Sequence, residues 1–172
     1  MDITNQPDET KPDNRGTAGE ASMTDQGMNV LDGVTLAQRV AICFASGVIG
    51  AAAVLLCSYV LFGLGIGPAL RVKAPIPLKS PDVYKPLFWG GLWGIPFGLL
   101  LGAFWRSLYL FGFLYVLAPL LALYLIFLPL GGAGLFGLQK GGPTFTLYLL
   151  LVNLPFGIVM ALAAKAIIGK HP

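Results

Sequence analysis

Between Val40 and Leu70 the chain runs for 31 residues without a charged side chain, and between Leu87 and Leu130 for 44 residues interrupted only by Arg106. These runs restrict the fold more than any other feature. About 20 apolar residues suffice for an α-helix to cross the hydrocarbon core of a bilayer, where backbone polar groups have to be satisfied within the helix itself. A straight helix of the second run would be about 66 Å long, roughly twice that thickness. It therefore has to fold back as a hairpin, with Arg106 marking the turn. Trp89 and Trp105, about 24 Å apart along one helix, suit the aromatic belts at the two membrane surfaces.

The charges are as unevenly placed as the apolar runs. Asp2, Asp8, Glu9, Asp13, Glu20, Asp25 and Asp32 are seven of the eight acidic residues, and they leave Asp82 as the one carboxylate side chain after position 38. Set against Lys11 and Arg15, they give residues 1–38 a side-chain charge of −5. With no sustained apolar period to offset backbone entropy, this segment is expected to be a disordered acidic tail. It lacks a basic n-region, and the apolar run that follows far exceeds the roughly 7–15 residues of a signal-peptide core. The first span is thus expected to stay attached as an anchor. Soluble domains carry about 25% charged residues, against 11% here, which excludes a soluble globular enzyme. The net charge of +3 is spread over separate loops, so no dense basic face is offered to nucleic acid.

The expected fold is an all-α membrane protein: after the tail, residues 39–170 form a domain of four transmembrane helices, at about 40–66, 87–105, 108–129 and 144–168. A basic, proline-rich connector joins the first two, and Ser80 or Asp82 is placed to cap a short helical turn within it. Arg71, Lys73, Lys79 and Lys85 there, and Arg106 at the hairpin, belong among lipid headgroups. The glycine-rich stretch 131–142 is read either as a loop at the interface or as a re-entrant segment with Leu135, Phe136 and Leu138 as wedges. Counting cations by side gives Arg39, Arg106, Lys165 and Lys170 against Arg71, Lys73, Lys79, Lys85 and Lys140, a difference too small to orient the protein.

The reaction chemistry is thin. His171 is the one histidine, and Cys43 and Cys57 lie about 21 Å apart along one helix, too far to bridge. No metal or cofactor site is expected, and the two cysteines read as small packing residues. Ser46 and Ser58 have no embedded base beside them, and no acid or histidine sits at mid-depth to relay protons. The chain is accordingly expected not to be an enzyme.

Packing chemistry is abundant. Gly90, Gly94, Gly98 and Gly102 form a stripe with a period of four along the second span, flanked by a bulky ridge of Trp89, Trp93, Phe97, Leu101 and Trp105. Small residues at this spacing let two backbones approach closely, where the hydrophobic effect gives no drive. The stripe faces another span of the chain, a separate partner or a pore. Shifting the sequence by 59 aligns Gly94-Ile95-Pro96-Phe97-Gly98 with Asn153-Leu154-Pro155-Phe156-Gly157, then Gly102 with Ala161 and Arg106 with Lys165. This is compatible with a duplicated hairpin or with coincidence in a composition rich in these residues. Gly157 and Ala161 thereby join the packing set. Pro96 and Pro155 should kink their helices. Asn153, strongly polar and deep in a span, either makes an interhelical hydrogen bond or lines a solute path with the two prolines.

The segments FWGGLWGIPFG, GLFGLQKGG and LVNLPFG resemble those of small multi-span proteins from bacterial genomes, over roughly residues 84–169. The resemblance implies a multi-pass protein of the bacterial cytoplasmic (inner) membrane and brings no activity with it. Two functions are expected from these features. The first is a non-enzymatic scaffold, assembly or accessory subunit in the lipid bilayer, packing through the glycine stripe as a homo-oligomer or within a larger membrane complex. The alternative is a small permease or channel for a neutral solute.

Overall fold

The computed structural model of the chain describes residues 33–169. The acidic tail falls almost wholly outside them, as do Lys170 and His171. All regular structure among the described residues is helical. Helix α1 spans Leu36–Gly63, and a single turn, α2, spans Ile66–Ala69. Helix α3 is Tyr84–Phe104. A descending arm follows, made of α4 (Leu108–Tyr115), α5 (Leu117–Ala122), a π-helical turn (Leu123–Phe127) and α6 (Leu128–Leu130). Helices α7 (Leu138–Asn153) and α8 (Pro155–Ile168) complete the chain.

Three helical stretches are long and apolar enough to cross a membrane: Leu36–Gly63, Tyr84–Leu130 and Leu135–Ile168. The middle one, 47 residues long, doubles back. Phe104 (φ −117°, ψ 15°) and Ser107 (φ −114°, ψ 34°) leave the helical region on either side of Arg106. Tyr115 consequently reaches α3, its hydroxyl donating to the carbonyl of Trp93 at 2.6 Å. A straight helix would hold those two residues about 33 Å apart. The ring of Phe97 meets Phe111 at 4.9 Å and Tyr115 at 5.1 Å, and Trp89 meets Phe127 at 4.7 Å, so the two arms lie antiparallel over most of their length.

Helix α1 opens four residues before the uncharged run, inside the segment assigned to the tail. Thr35 and Gln38 form a capping box: Thr35 N–H donates to Gln38 Oε1 at 2.9 Å, and Gln38 N–H donates to Thr35 Oγ1 at 3.3 Å. These bonds satisfy amides that a helix start leaves open. At α3, by contrast, neither Ser80 nor Asp82 caps; the residue before the helix is Val83, with no side-chain cap bond.

Helix α1 is the post against which α3 and α8 pack. Cys43, Ala51 and Val54 are buried in one cluster with Phe97 and Leu101 of α3 and with Phe156, Met160, Ala161 and Ala164 of α8. The contact with α3 is backbone on backbone. A Cβ added at Gly94 would run into the carbonyl of Cys43, and one at Gly90 into Ala51. At Gly98 it would lie 3.0 Å from the Cys43 Cβ and 3.2 Å from the Val40 Cα. Helix α1 answers with its own glycines. A Cβ at Gly47 would strike Gly90 O, and one at Gly50 would stand 2.8 Å from Phe156 O. A second crossing joins α4 to α8, where Gly112 and Gly157 meet and a Cβ at Gly112 would lie 2.7 Å from that of Ala161. Gly102, past the end of the first crossing, is exposed.

Replacing Gly94 by Ala should destabilise the fold by about 1–3 kcal/mol, the usual cost of overpacking, because the neighbouring atoms are backbone. Gly102→Ala should be close to neutral, since its added methyl meets only the far end of the Arg39 side chain at 3.2 Å. Thermal unfolding of the two variants in the same detergent checks the contrast; equal losses would contradict this account of the crossing.

Candidate functional site

Two prolines interrupt the helical hydrogen bonding. Pro155 has no N–H for the carbonyl of Leu151, four residues earlier, and the Cys57 thiol of α1 approaches that carbonyl at 3.9 Å. Pro96 likewise leaves the Leu92 carbonyl without its donor, and Tyr115 donates to the next carbonyl, that of Trp93. Asn153 lies just before the Pro155 kink. Its Nδ2 donates to Leu149 O at 2.7 Å, within its own helix. The interhelical bond expected of Asn153 is therefore not made, since an i−4 carbonyl lies within reach of the short amide.

Asn153 stands on the wall of a half-open cleft between the helices, about 380 Å³ in volume. Ala51 and Val54 of α1, Trp89, Gly90 and Trp93 of α3, and Leu149 and Phe156 beside Asn153 form three sides. Pro119, Leu123 and Phe127 of the descending arm form the fourth, and Ile76 and Pro86 line it from the connector end. Apart from the Asn153 amide and the two indole N–H groups, the lining side chains are apolar. Of the three residues assigned to a hinge or path, Asn153 lines the cavity, whereas Pro96 and Pro155 do not. Gly90 belongs both to the α1 crossing and to the cavity wall.

The wall formed by the descending arm depends on a turn absent from the sequence reading. Leu123–Phe127 is π-helical, with the Leu128 N–H donating to Leu123 O five residues back. Such a turn carries an extra residue and re-aims side chains, here Leu123 and Phe127; π-turns are frequent at functional sites. The glycine-rich stretch folds onto it: Tyr124 and Phe136 rings lie 5.5 Å apart, Thr146 Oγ1 donates to Phe136 O at 2.6 Å, and Tyr124 OH donates to Thr146 O at 2.7 Å. Phe136 is held at φ 57° between Gly134 (φ 72°) and Gly137 (φ 74°). Leu135, Phe136 and Leu138 point outward.

The connector is a strap rather than a free loop. Its Ile76 N–H donates to Ser58 Oγ at 2.8 Å, and Ser58 Oγ shares a hydrogen bond with Tyr148 OH at 3.1 Å, with Ser58 fully buried. This node ties α1, the connector and α7 together and holds Ile76 at the cavity. Nothing in the spacing of Ser58, Ile76 and Tyr148 announces it. Arg71, Lys73, Lys79 and Lys85 are exposed along the strap, and Arg106 is exposed at the opposite end of the bundle. Lys165 lies over the Tyr109 ring at 4.8 Å, also at that opposite end. Among the described residues, no three His, Cys, Asp or Glu side chains come together in a metal-binding group.

No protein-family model matches the chain, and no curated protein or solved structure is found similar to it.

Ser58→Ala would strip partners from a buried tyrosine hydroxyl and from the Ile76 amide. The cost should be about 1–3 kcal/mol, and the strap should become more sensitive to protease between 71 and 83. Limited proteolysis alongside thermal unfolding measures both. Unchanged cleavage would mean that the strap is held by its apolar contacts alone.

Proposed function

We propose that the chain is a non-enzymatic, four-span protein of a bacterial cytoplasmic membrane that takes a neutral, weakly polar solute into the cleft between its helices, in the manner of a small permease. The observation that carries this reading is the cavity of about 380 Å³ between the second and fourth spans, apolar throughout except for Asn153 and two indoles. Small-molecule sites have this character: mostly apolar walls with a few polar groups that fix orientation. A lining without charge favours an uncharged occupant, because an unpaired ion in such surroundings is costly. The doubling back of Tyr84–Leu130 supports counting it as two spans.

The accessory-subunit reading keeps one supporting observation, though on a different surface. Gly90, Gly94 and Gly98 are occupied by α1, so a partner would not meet them. It would instead meet the descending arm, where Leu110, Phe113, Leu114, Leu117 and Leu121 stand 47–59% exposed in a ridge of helical spacing.

Cysteine labelling in proteoliposomes tests the first reading. In a Cys43→Ala/Cys57→Ser background, Leu149→Cys on the cavity wall should react with the small neutral reagent methyl methanethiosulfonate roughly tenfold faster than Met160→Cys, because thiolate forms only where water enters. Equal rates would overturn the cavity as a solute site. With a membrane-impermeant reagent, Lys79→Cys and Lys140→Cys should be labelled from one side and Arg106→Cys from the other. Labelling of all three from one side would overturn the four-span arrangement.

A further inference from the structure

We infer that the solute is a neutral, ring-bearing hydrophobe of the phenol class, held by a hydrogen bond from its hydroxyl to Asn153 Oδ1. The inference rests on the solute-site reading above and adds the chemistry of recognition. It follows first from the orientation of one amide. A carbonyl oxygen can only accept, so the 2.7 Å bond to Leu149 O identifies the inward-turned atom of Asn153 as Nδ2. The same bond leaves Oδ1 without a partner among the described residues. Oδ1 is not sealed in protein either, since no described buried side-chain nitrogen or oxygen lacks a hydrogen bond. Asn153 lines the cavity, and its open Oδ1 is the acceptor it would present there.

An open acceptor selects a donor. An ether or ketone of the same shape would leave Oδ1 facing apolar atoms, and an ammonium would bring a charge into walls that hold no carboxylate. A hydroxyl donates to Oδ1 and still has lone pairs for the indole N–H groups of Trp89 or Trp93, which lie on the same lining. The remaining walls select the body. Trp89, Trp93, Phe127 and Phe156 contribute four aromatic rings, and the Trp89 and Phe127 rings already meet edge to face at 4.7 Å. Such surroundings favour a flat ring over a flexible chain, through offset and edge contacts.

The test uses a matched pair of quenchers, 4-bromophenol and 4-bromoanisole, which differ in replacement of the hydroxyl hydrogen by a methyl group. Bromine quenches tryptophan at contact, and a Trp105→Phe background leaves only the two cavity indoles emitting. At neutral pH the phenol keeps its proton. Quenching of the protein in nanodiscs should saturate and be reversed by unbrominated phenol. The phenol should bind roughly fivefold or more tightly than the anisole, the order of one net hydrogen bond. Asn153→Leu should bring the two affinities together. Saturable quenching with equal affinities in the unmutated site would overturn the donor requirement while leaving the cavity as a solute site. Quenching that rises linearly, as from partitioning into lipid, would overturn both. The comparison in the unmutated site decides the matter even if Asn153→Leu does not fold.

Discussion

The fold depends on the backbone contact between α1 and α3. In a lipid environment, neighbouring apolar helices gain nothing from expelling water, so association has to come from close van der Waals contact. Gly47 on one side and Gly90, Gly94 and Gly98 on the other remove the side chains that would keep the two backbones apart, while Gly50 does the same where α8 meets α1. The second crossing, Gly112 against Gly157, repeats the device between α4 and α8. With α3 held close to α1 and α8 packed on the same post, the bulky residues have to turn elsewhere. Trp89 and Trp93 turn toward the space that remains, and the cavity is that space.

Polar groups inside the bundle are managed locally. The thiol of Cys57 attends the carbonyl that Pro155 cannot serve, and the Asn153 amide spends one donor on its own helix. Ser58 meets both a tyrosine hydroxyl and a strap amide. Cys57 and Asn153 stand beside the Pro155 kink, and Ser58 joins the strap to two helices. At Pro155 the bend thereby leaves the freed carbonyl a partner within the bundle.

Much of this was legible in the sequence, and the omissions have physical causes. The hairpin around Arg106 followed from length, since no bilayer accommodates a straight helix of 44 residues. The glycine stripe is visible, and so is its counterpart on α1: Cys43, Gly47 and Ala51 stand at the same spacing of four, with Ser46, Gly50 and Val54 beside them. Those residues were the available signal that the stripe is used within the chain. The start of α1 is likewise marked by Thr35 and Gln38, a capping-box pair embedded in polar composition that masks it. The π-helical turn Leu123–Phe127 had no comparable signal, because neither its composition nor its spacing differs from the α-helical turns around it. The Asn153 bond stayed within one helix because a short amide reaches its own i−4 carbonyl before it reaches a neighbour.

The strap has a bearing on direction. The cations are almost evenly divided between the ends of the bundle, so charge counting leaves the protein nearly symmetric across a bilayer. The cavity breaks that symmetry. It takes Ile76 and Pro86 from the strap end and Leu123 and Phe127 from the turn nearest the glycine-rich stretch, and no lining residue comes from the Arg106 end. One end of the bundle thus holds a cleft framed by a pinned strap, the other a closed helical crossing. A molecule exchanging with this site would have a near side and a far side, a vectorial property set by packing and not by charge.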